Sequence, residues 1–182
     1  MIFFRKKTSP PSTQRNLIIV PTFNWALSSP HYFFAFGLGS GLSPQAPGTM
    51  GSLAAIPLFW LSGIWALPVL LQCLVLAVIF VYGCYACHVT GKALGEPDHG
   101  SIVIDEVWAM WVLLCFFPTN FLTQLYIFAA FRLFDITKPH PIRMLEKKFK
   151  NGFGVMIDDG LAAFYAFLLL KLLVFLKVIT LG

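Results

Sequence analysis

The sequence predicts an all-α integral membrane protein: a helical bundle of about four to five membrane helices with a one-sided polar active-site face. Three observations carry this. The chain is 58% hydrophobic and only 12% charged, where a soluble domain carries about 25% charged residues. Residues 16–91 contain no charged side chain. All eight acidic residues fall in the stretch from Glu96 to Asp159. A carboxylate stranded at a bilayer centre costs about 3 kcal/mol or more, so an apolar solvent confines carboxylates in this way. The mean hydropathy of +0.77 agrees. The 19 Phe and 5 Trp suit a lipid-facing surface with interfacial anchors.

Taken in order, residues 1–26 read as a basic, mobile tail carrying Arg5, Lys6, Lys7 and Arg15. The apolar stretch 17–20 ends at Pro21 and is too short for a signal peptide core. Residues 27–182 read as a single membrane-embedded domain, the default for a chain of 182 residues. Its first part, 27–52, is rich in Gly, Pro and Ser and predicts loop or broken helix. Membrane elements follow at 52–67, 68–89, 102–117, 121–134 and 161–180. A full crossing needs about 20 residues. The pair 102–117 and 121–134, broken at Pro118-Thr119-Asn120, is shorter, which fits tilted helices, helices extending past the lipid, or a re-entrant hairpin.

Charge sets the orientation. The basic tail precedes the first element. Arg132, Lys138, Arg143, Lys147, Lys148 and Lys150 lie between the fourth and fifth. The positive-inside rule puts both groups on the cytoplasmic side, and an even number of crossings separates them. The same count returns Glu96 to Glu106 to that face. Lys171 falls midway through the expected last element. Either it snorkels to the interface or that helix runs partly along the surface. The net charge of +5 matches attraction to anionic lipid head groups. It does not indicate nucleic acid, because the cations are few and separated by apolar helices.

The four cysteines, Cys73, Cys84, Cys87 and Cys115, lie in apolar segments and read as buried thiols. Cys84-Tyr-Ala-Cys87-His88 spells the C-x-x-C-H of haem attachment. Its place near the end of a hydrophobic run argues against that use, and no second CxxC completes a zinc site.

Four polar motifs interrupt the apolar pattern. The first runs from Gly37 to Ser52 and includes Ser43, Pro44, Pro47, Gly48, Thr49 and Gly51. Its glycines allow tight turns and close backbone approach. Thr49 or Ser52 is suited to cap the first membrane helix. A helix start of this kind can receive phosphate through unpaired backbone N–H groups, although, taken alone, the motif is better explained as a plain re-entry turn. The second is Asp98-His99-Gly-Ser-Ile-Val-Ile-Asp105-Glu106. A helix N-terminus accommodates one carboxylate. It does not account for two adjacent ones with Asp98 seven residues upstream, a spacing that shares one face if the helix continues.

In the third motif, Arg132-Leu-Phe-Asp135-Ile-Thr-Lys138-Pro139-His-Pro141-Ile-Arg143, simple ion pairs about Asp135 are the plain reading. The helix is expected to stop before Pro139, leaving Lys138 at its end and Arg143 on a proline-stiffened loop, both suited to phosphate. In the fourth, Gly152-Phe-Gly154-Val-Met-Ile-Asp158-Asp159, Asp159 is expected to cap the last helix. Asp158 beside it repels unless a cation intervenes. Mg²⁺, an oxygen-seeking ion often held by one or two carboxylates plus substrate phosphate, is the natural candidate. His99 and His140 read as loop residues.

Together, in order, these motifs (G-x-G-x-x-P-x-x-P-G-T-x-G-S, D-x-x-x-I-V-x-D-E, F-R-x-F-D-x-x-K-P-x-P-I and G-x-G-V-M-x-D-D) resemble the phosphatidylglycerophosphatase A family of bacterial membrane lipid phosphatases. The similarity runs over roughly residues 27–166. Val155 stands where Ile is usual in that family, and the small-residue pattern near Gly160 and Ala163 is altered. The resemblance implies Mg²⁺-dependent hydrolysis of phosphatidylglycerophosphate to phosphatidylglycerol at the cytoplasmic face of the inner membrane. It implies Asp98, Asp105, Glu106, Asp135, Asp158 and Asp159 as metal-ligating positions and Arg132 and Lys138 as their basic partners.

The chemistry then assigns Asp105, Glu106, Asp135, Lys138 and Arg132 to catalysis. Lys138, Arg132 and Arg143 hold phosphate charge, with Ser43, Gly48, Thr49 and Ser52 supplying loop contacts. Hydrolysis of a phosphate monoester is mainly a matter of position and charge. The preferred nucleophile is water activated by the ion, with an aspartyl-phosphate intermediate as the alternative. Three rival readings stand beside this one, the third an assembly or scaffold protein in which the paired carboxylates would be idle. A CDP-alcohol phosphotransferase also uses carboxylates and metal at a membrane surface, and a small ion or proton transporter would line a path with them.

Overall fold

A computed structural model describes residues 21–117 and 120–180. The cations of the tail, Arg5, Lys6, Lys7 and Arg15, lie outside the described residues, as do Pro118 and Thr119 of the expected break. Among the described residues every regular element is helical, as the composition requires.

Two short helices, α1 (Phe23–Leu27) and α2 (Pro30–Ala35), open the chain. Thr22 caps α1 through its hydroxyl, 3.3 Å from the Trp25 N–H, and Trp25 stacks on Tyr32 at 4.3 Å. The first helix therefore straddles the boundary expected at residue 26. A 3₁₀ segment, Gly37–Leu42, leads to α3 (Pro47–Ser62), so residues 27–52 form a broken helix. The long helices follow: α4 (Val69–Leu94), α5 (Ile104–Phe116) and α6 (Phe121–Thr137). A short α7 (Ile142–Lys148) precedes α8 (Gly152–Phe175).

Three local expectations are corrected. Neither Thr49 nor Ser52 caps α3. Its N-cap is Ala46, in the left-handed region at φ 46°, and the Ser52 hydroxyl donates back to the Gly48 carbonyl at 2.9 Å. Pro47 suits the first turn because it has no N–H to satisfy there. Asp159 does not cap α8 either. The helix begins seven residues earlier, where the Asn151 side chain accepts the Gly154 N–H at 3.0 Å. Finally, the chain from Asp98 to Asp105 is not one helix, since α5 starts only at Ile104. By contrast, α6 stops at Thr137 with Lys138 as its cap at φ 39°, in line with Pro139 barring continuation.

The end of α8 at Phe175, rather than at residue 180, moves Lys171 toward its terminus. The lysine sits four residues from the helix's last residue, not midway, with its ammonium 5.0 Å from the Phe117 ring centre and 5.5 Å from that of Phe167.

Helix α8 is the hub, packing against α4, α5 and α6, while α3 packs on α5 and α2 on α4. Small residues permit these approaches. Gly152 lies against the Cys84 carbonyl of α4, leaving no room for a Cβ. Indole N–H groups tie helices together: Trp108 donates to the Leu76 carbonyl at 2.9 Å and Trp111 to the Ala55 carbonyl at 2.8 Å. Such bonds satisfy polar groups that an apolar surround would otherwise strand.

Among the described residues two helices, α4 and α8, are long and apolar enough to cross a membrane. At 26 residues α4 spans about 39 Å. Most of its apolar face points outward, with Leu70, Leu74, Val78 and Val81 exposed. A core helix of a water-soluble protein would bury that face.

Candidate metal and phosphate site

The helix directions decide what meets where. The N-terminus of α3, the C-terminus of α4, the N-terminus of α5, the C-terminus of α6 and the N-terminal part of α8 lie at one end of the bundle. There a cavity of about 170 Å³ is walled by Asp98, Gly100, Ile102, Asp105, Glu106, Asp135, Lys138, Val155, Asp158 and Asp159. All six expected carboxylates thus line one space. Asp98 reaches it from the loop after α4, Asp105 and Glu106 from the first turn of α5, Asp135 from the end of α6, and Asp158 and Asp159 from α8.

The deepest of these are almost sealed from solvent. Asp105 is 7% exposed, Glu106 9%, Asp158 3% and Asp159 4%, whereas Asp98 is exposed and stands at the mouth. Oxygens of Asp105, Glu106 and Asp159 lie within 4.8 Å of one another. Asp105 Oδ1, Glu106 Oε2 and Asp159 Oδ2 are buried without a hydrogen-bond partner. Each orphaned carboxylate oxygen carries a desolvation penalty of about 1–3 kcal/mol or more, and three close together add mutual repulsion. A cation bound among them removes both costs. The donor set is all oxygen, with no sulfur or imidazole, which suits a hard divalent ion. His99 Nδ1 accepts the Ser101 N–H at 3.2 Å, in keeping with a loop role.

Two cations border the acids. Arg132 Nη1 lies 2.5 Å from Asp135 Oδ2 and 3.7 Å from Glu106 Oε1, and 3.5 Å from Ser52 Oγ. The guanidinium therefore ties α6 to α5 and α3. Lys138 Nζ lies 3.9 Å from Asp158 Oδ2. The left-handed cap at Lys138 ends α6 beside the cavity.

The glycine-rich motif reaches the site through two of its residues. Gly48 packs so closely on the Glu106 carboxylate and Arg132 that a Cβ there has no space, and Ser52 meets Arg132. Ser43 and Thr49 are not among the cavity's lining residues, and the Ser43 hydroxyl instead donates to the Gln45 carbonyl at 2.8 Å. Arg143 is likewise outside the cavity wall. It is exposed and donates to the Thr137 carbonyl at 3.0 Å, which fastens the turn after α6. Sequence reasoning missed Gly100, Ile102 and Val155 as lining residues. The signal for Val155 was its place three residues before Asp158, on the same helical face.

An all-helical bundle with a buried acidic cluster and flanking cations at one end has the make-up of a site that could hold a metal ion. The sequence profile of the family "Phosphatidylglycerophosphatase A" matches residues 33–174, and the chain belongs to that family. It is similar to the Phosphatidylglycerophosphatase A of Escherichia coli (strain K12), with 47% identity over 137 residues, 75% of this chain and 78% of that protein. The Phosphatidylglycerophosphatase A of Haemophilus influenzae is 45% identical over 145 residues, 78% of this chain and 86% of that protein. A Bacteroides thetaiotaomicron protein, provisionally named a phosphatidylinositol-3-phosphatase, is 40% identical over 141 residues, 74% of this chain and 87% of that protein. No solved structure matches. Every residue of the acidic cavity falls inside the matched region.

Proposed function

We propose that this chain hydrolyses the terminal phosphate monoester of phosphatidylglycerophosphate, releasing phosphatidylglycerol and inorganic phosphate, with Mg²⁺ as its cofactor. The observation that carries the reading is the convergence of Asp105, Glu106 and Asp159 oxygens within 4.8 Å at the buried floor of a cavity in a chain of this family. When bound there, Mg²⁺ would neutralise phosphate oxygens and lower the pKa of a coordinated water.

The chain's own residues divide the remaining work. Asp105, Glu106 and Asp159 hold the ion, with Asp158, Asp135 and Asp98 around it. Lys138, at the cavity wall, draws the phosphate in as a point charge. Arg132 holds Glu106 and Asp135 in place and offers its remaining N–H groups to phosphate oxygens. Ser52 and Gly48 fix Arg132 and Glu106 from behind. With the ligands set before substrate arrives, little reorganisation is needed at the moment of reaction.

The alternation of α3, α4, α5, α6 and α8 supports a multi-pass arrangement of five membrane elements, with residues 27–182 as one embedded unit and 1–26 as a basic extension. The basic residues Arg132, Lys138, Arg143 and Lys150 gather at the cavity end. That supports a site on the cytoplasmic side of a bacterial inner membrane.

The test is phosphate release from phosphatidylglycerophosphate in detergent micelles, with Mg²⁺ and then with EDTA. Release that stops in chelator and returns with Mg²⁺ is expected, and undiminished turnover in EDTA rejects the ion's role. Phosphatidylinositol 3-phosphate serves as the comparison substrate, given the name carried by the Bacteroides relative. Preference for it would move the substrate assignment while leaving the hydrolytic chemistry in place.

A further inference from the structure

We propose that a basic trench leading off the acidic cavity binds the second phosphate of the lipid substrate, the diester that joins its two glycerols, through Lys92 and Lys150. This rests on the function proposed above. It adds to that function the groups that tell a two-phosphate head group from a lipid bearing one monoester.

Three cavities adjoin through shared lining residues. The acidic cavity shares Asp98, Val155 and Asp158 with a second cavity of about 290 Å³, which also takes in Lys150 and Asn151. That cavity in turn shares Pro97, Lys150 and Asn151 with a third, of about 280 Å³, which reaches Lys92 and His88 on α4. Carboxylates dominate one end and cations the other. The middle is mixed, because Glu96 also lines it. The acidic end suits a dianionic monoester bound through a divalent ion. The basic end suits a diester, whose single charge a lysine ammonium meets as a point charge without a metal.

The order continues down α4. Lys92, His88, Tyr85, Val81, Val78 and Leu74 are spaced by four, three, four, three and four residues, which puts them on one helical face. All are exposed. At 1.5 Å per residue, Val81 lies about 16 Å along the helix from Lys92. An acyl chain leaving a diester at Lys92 therefore runs onto apolar, outward-facing side chains. The protein presents carboxylates, then cations, then a greasy stripe. The substrate presents a terminal monoester, then a diester, then acyl chains. The two sequences of chemistry match in order.

The experiment is competition against phosphate release from phosphatidylglycerophosphate in micelles, using wild type and the double variant Lys92→Gln/Lys150→Gln. One competitor is glycerophosphoglycerol, which carries only the diester. The other is inorganic phosphate, which addresses only the metal end. In the double variant the inhibition constant of glycerophosphoglycerol is expected to rise roughly tenfold, given that exposed charge pairs contribute up to about 1 kcal/mol each. That of inorganic phosphate should stay within about twofold, a change of under half a kcal/mol. KM for the lipid should rise with kcat nearly unchanged, and the Lys92→Arg/Lys150→Arg pair should restore it.

Equal weakening of both competitors would reduce the lysines to a general field, and an unchanged constant for glycerophosphoglycerol would remove them altogether. Either result overturns the proposal, as does a wild type that glycerophosphoglycerol fails to inhibit. A wild type that releases no phosphate from the lipid fails the proposed function instead, and the two failures are read separately.

Discussion

Arg132 Nη1 on α6 lies 3.7 Å from Glu106 Oε1 on α5, while the same nitrogen holds Asp135 three residues along its own helix. One guanidinium thus spans two helices at the edge of a cavity full of negative charge. All three contacts, to Glu106, Asp135 and Ser52, fall on Nη1 at the far end of the side chain. Replacing the guanidinium with an ammonium keeps the charge but shortens the side chain and moves the donor away from the three oxygens. Arg132→Lys is therefore expected to lower turnover by about tenfold or more, because misplacing a supporting group by about 1 Å can cost a hundredfold. Steady-state phosphate release checks this. Normal kcat in Arg132→Lys would show that charge alone suffices.

The acidic core should be functional at the expense of stability. Asp105→Asn and Asp159→Asn each remove one carboxylate from a group of three whose oxygens lie within 4.8 Å. Losing a ligand is expected to reduce phosphate release by more than about a hundredfold, since even outer partners of a metal site cost 10- to 100-fold. The same changes relieve repulsion in the metal-free protein, so its melting temperature should hold or rise. A variant that melts well below wild type without metal would identify that residue as structural.

Metal binding itself has a readout apart from activity. An ion that binds only the folded chain stabilises it by about 2.7 kcal/mol at a hundred times its dissociation constant. Melting followed with and without Mg²⁺ should show an upward shift in wild type that shrinks in Asp105→Asn. Equal shifts in both proteins would place the ion elsewhere.

Gly48 offers a test of the close approach between α3 and the site. A methyl group there meets the Glu106 carboxylate and Arg132. Gly48→Ala should impair turnover more severely than its overpacking cost of roughly 1–3 kcal/mol impairs folding. The comparison is kcat against melting temperature. A variant with wild-type kcat would mean that Glu106 can shift without consequence.

Helix direction makes the proposed sidedness testable. Glu96 lies beyond the C-terminus of α4 at the cavity end, and Ser62 ends α3 at the opposite end. In a cysteine-free background of intact cells, Ser62→Cys is expected to react with an impermeant thiol reagent from outside. Glu96→Cys should react only after permeabilisation. Labelling of both from outside would contradict the multi-pass arrangement.

Much of this was legible along the chain because the bilayer acts on composition directly. The apolar runs, the break before Pro139, the acids opening α5 and the six carboxylates of the cavity follow from what residues 37–159 are, without knowledge of their neighbours. The errors lay where local signals compete. Asp159 looked like a cap because it precedes an apolar run, yet Asn151 caps α8 and carries the two aspartates into the helix. Ser52 looked like a cap, yet α3 takes Ala46 and the Ser52 hydroxyl turns back to the Gly48 carbonyl.

What the amino-acid order determined alone is the set of elements and the chemistry available, since hydropathy, proline and glycine act over a few residues. Tertiary structure decided which polar groups share a space. Asp98 joins Asp105 from a loop rather than a common helix face, Gly48 presses on Glu106, and adjoining cavities share walls between the acids and Lys92. Those relations depend on how α8 packs against α4, α5 and α6. Packing is a property of surfaces meeting across long stretches of chain, which no local pattern encodes.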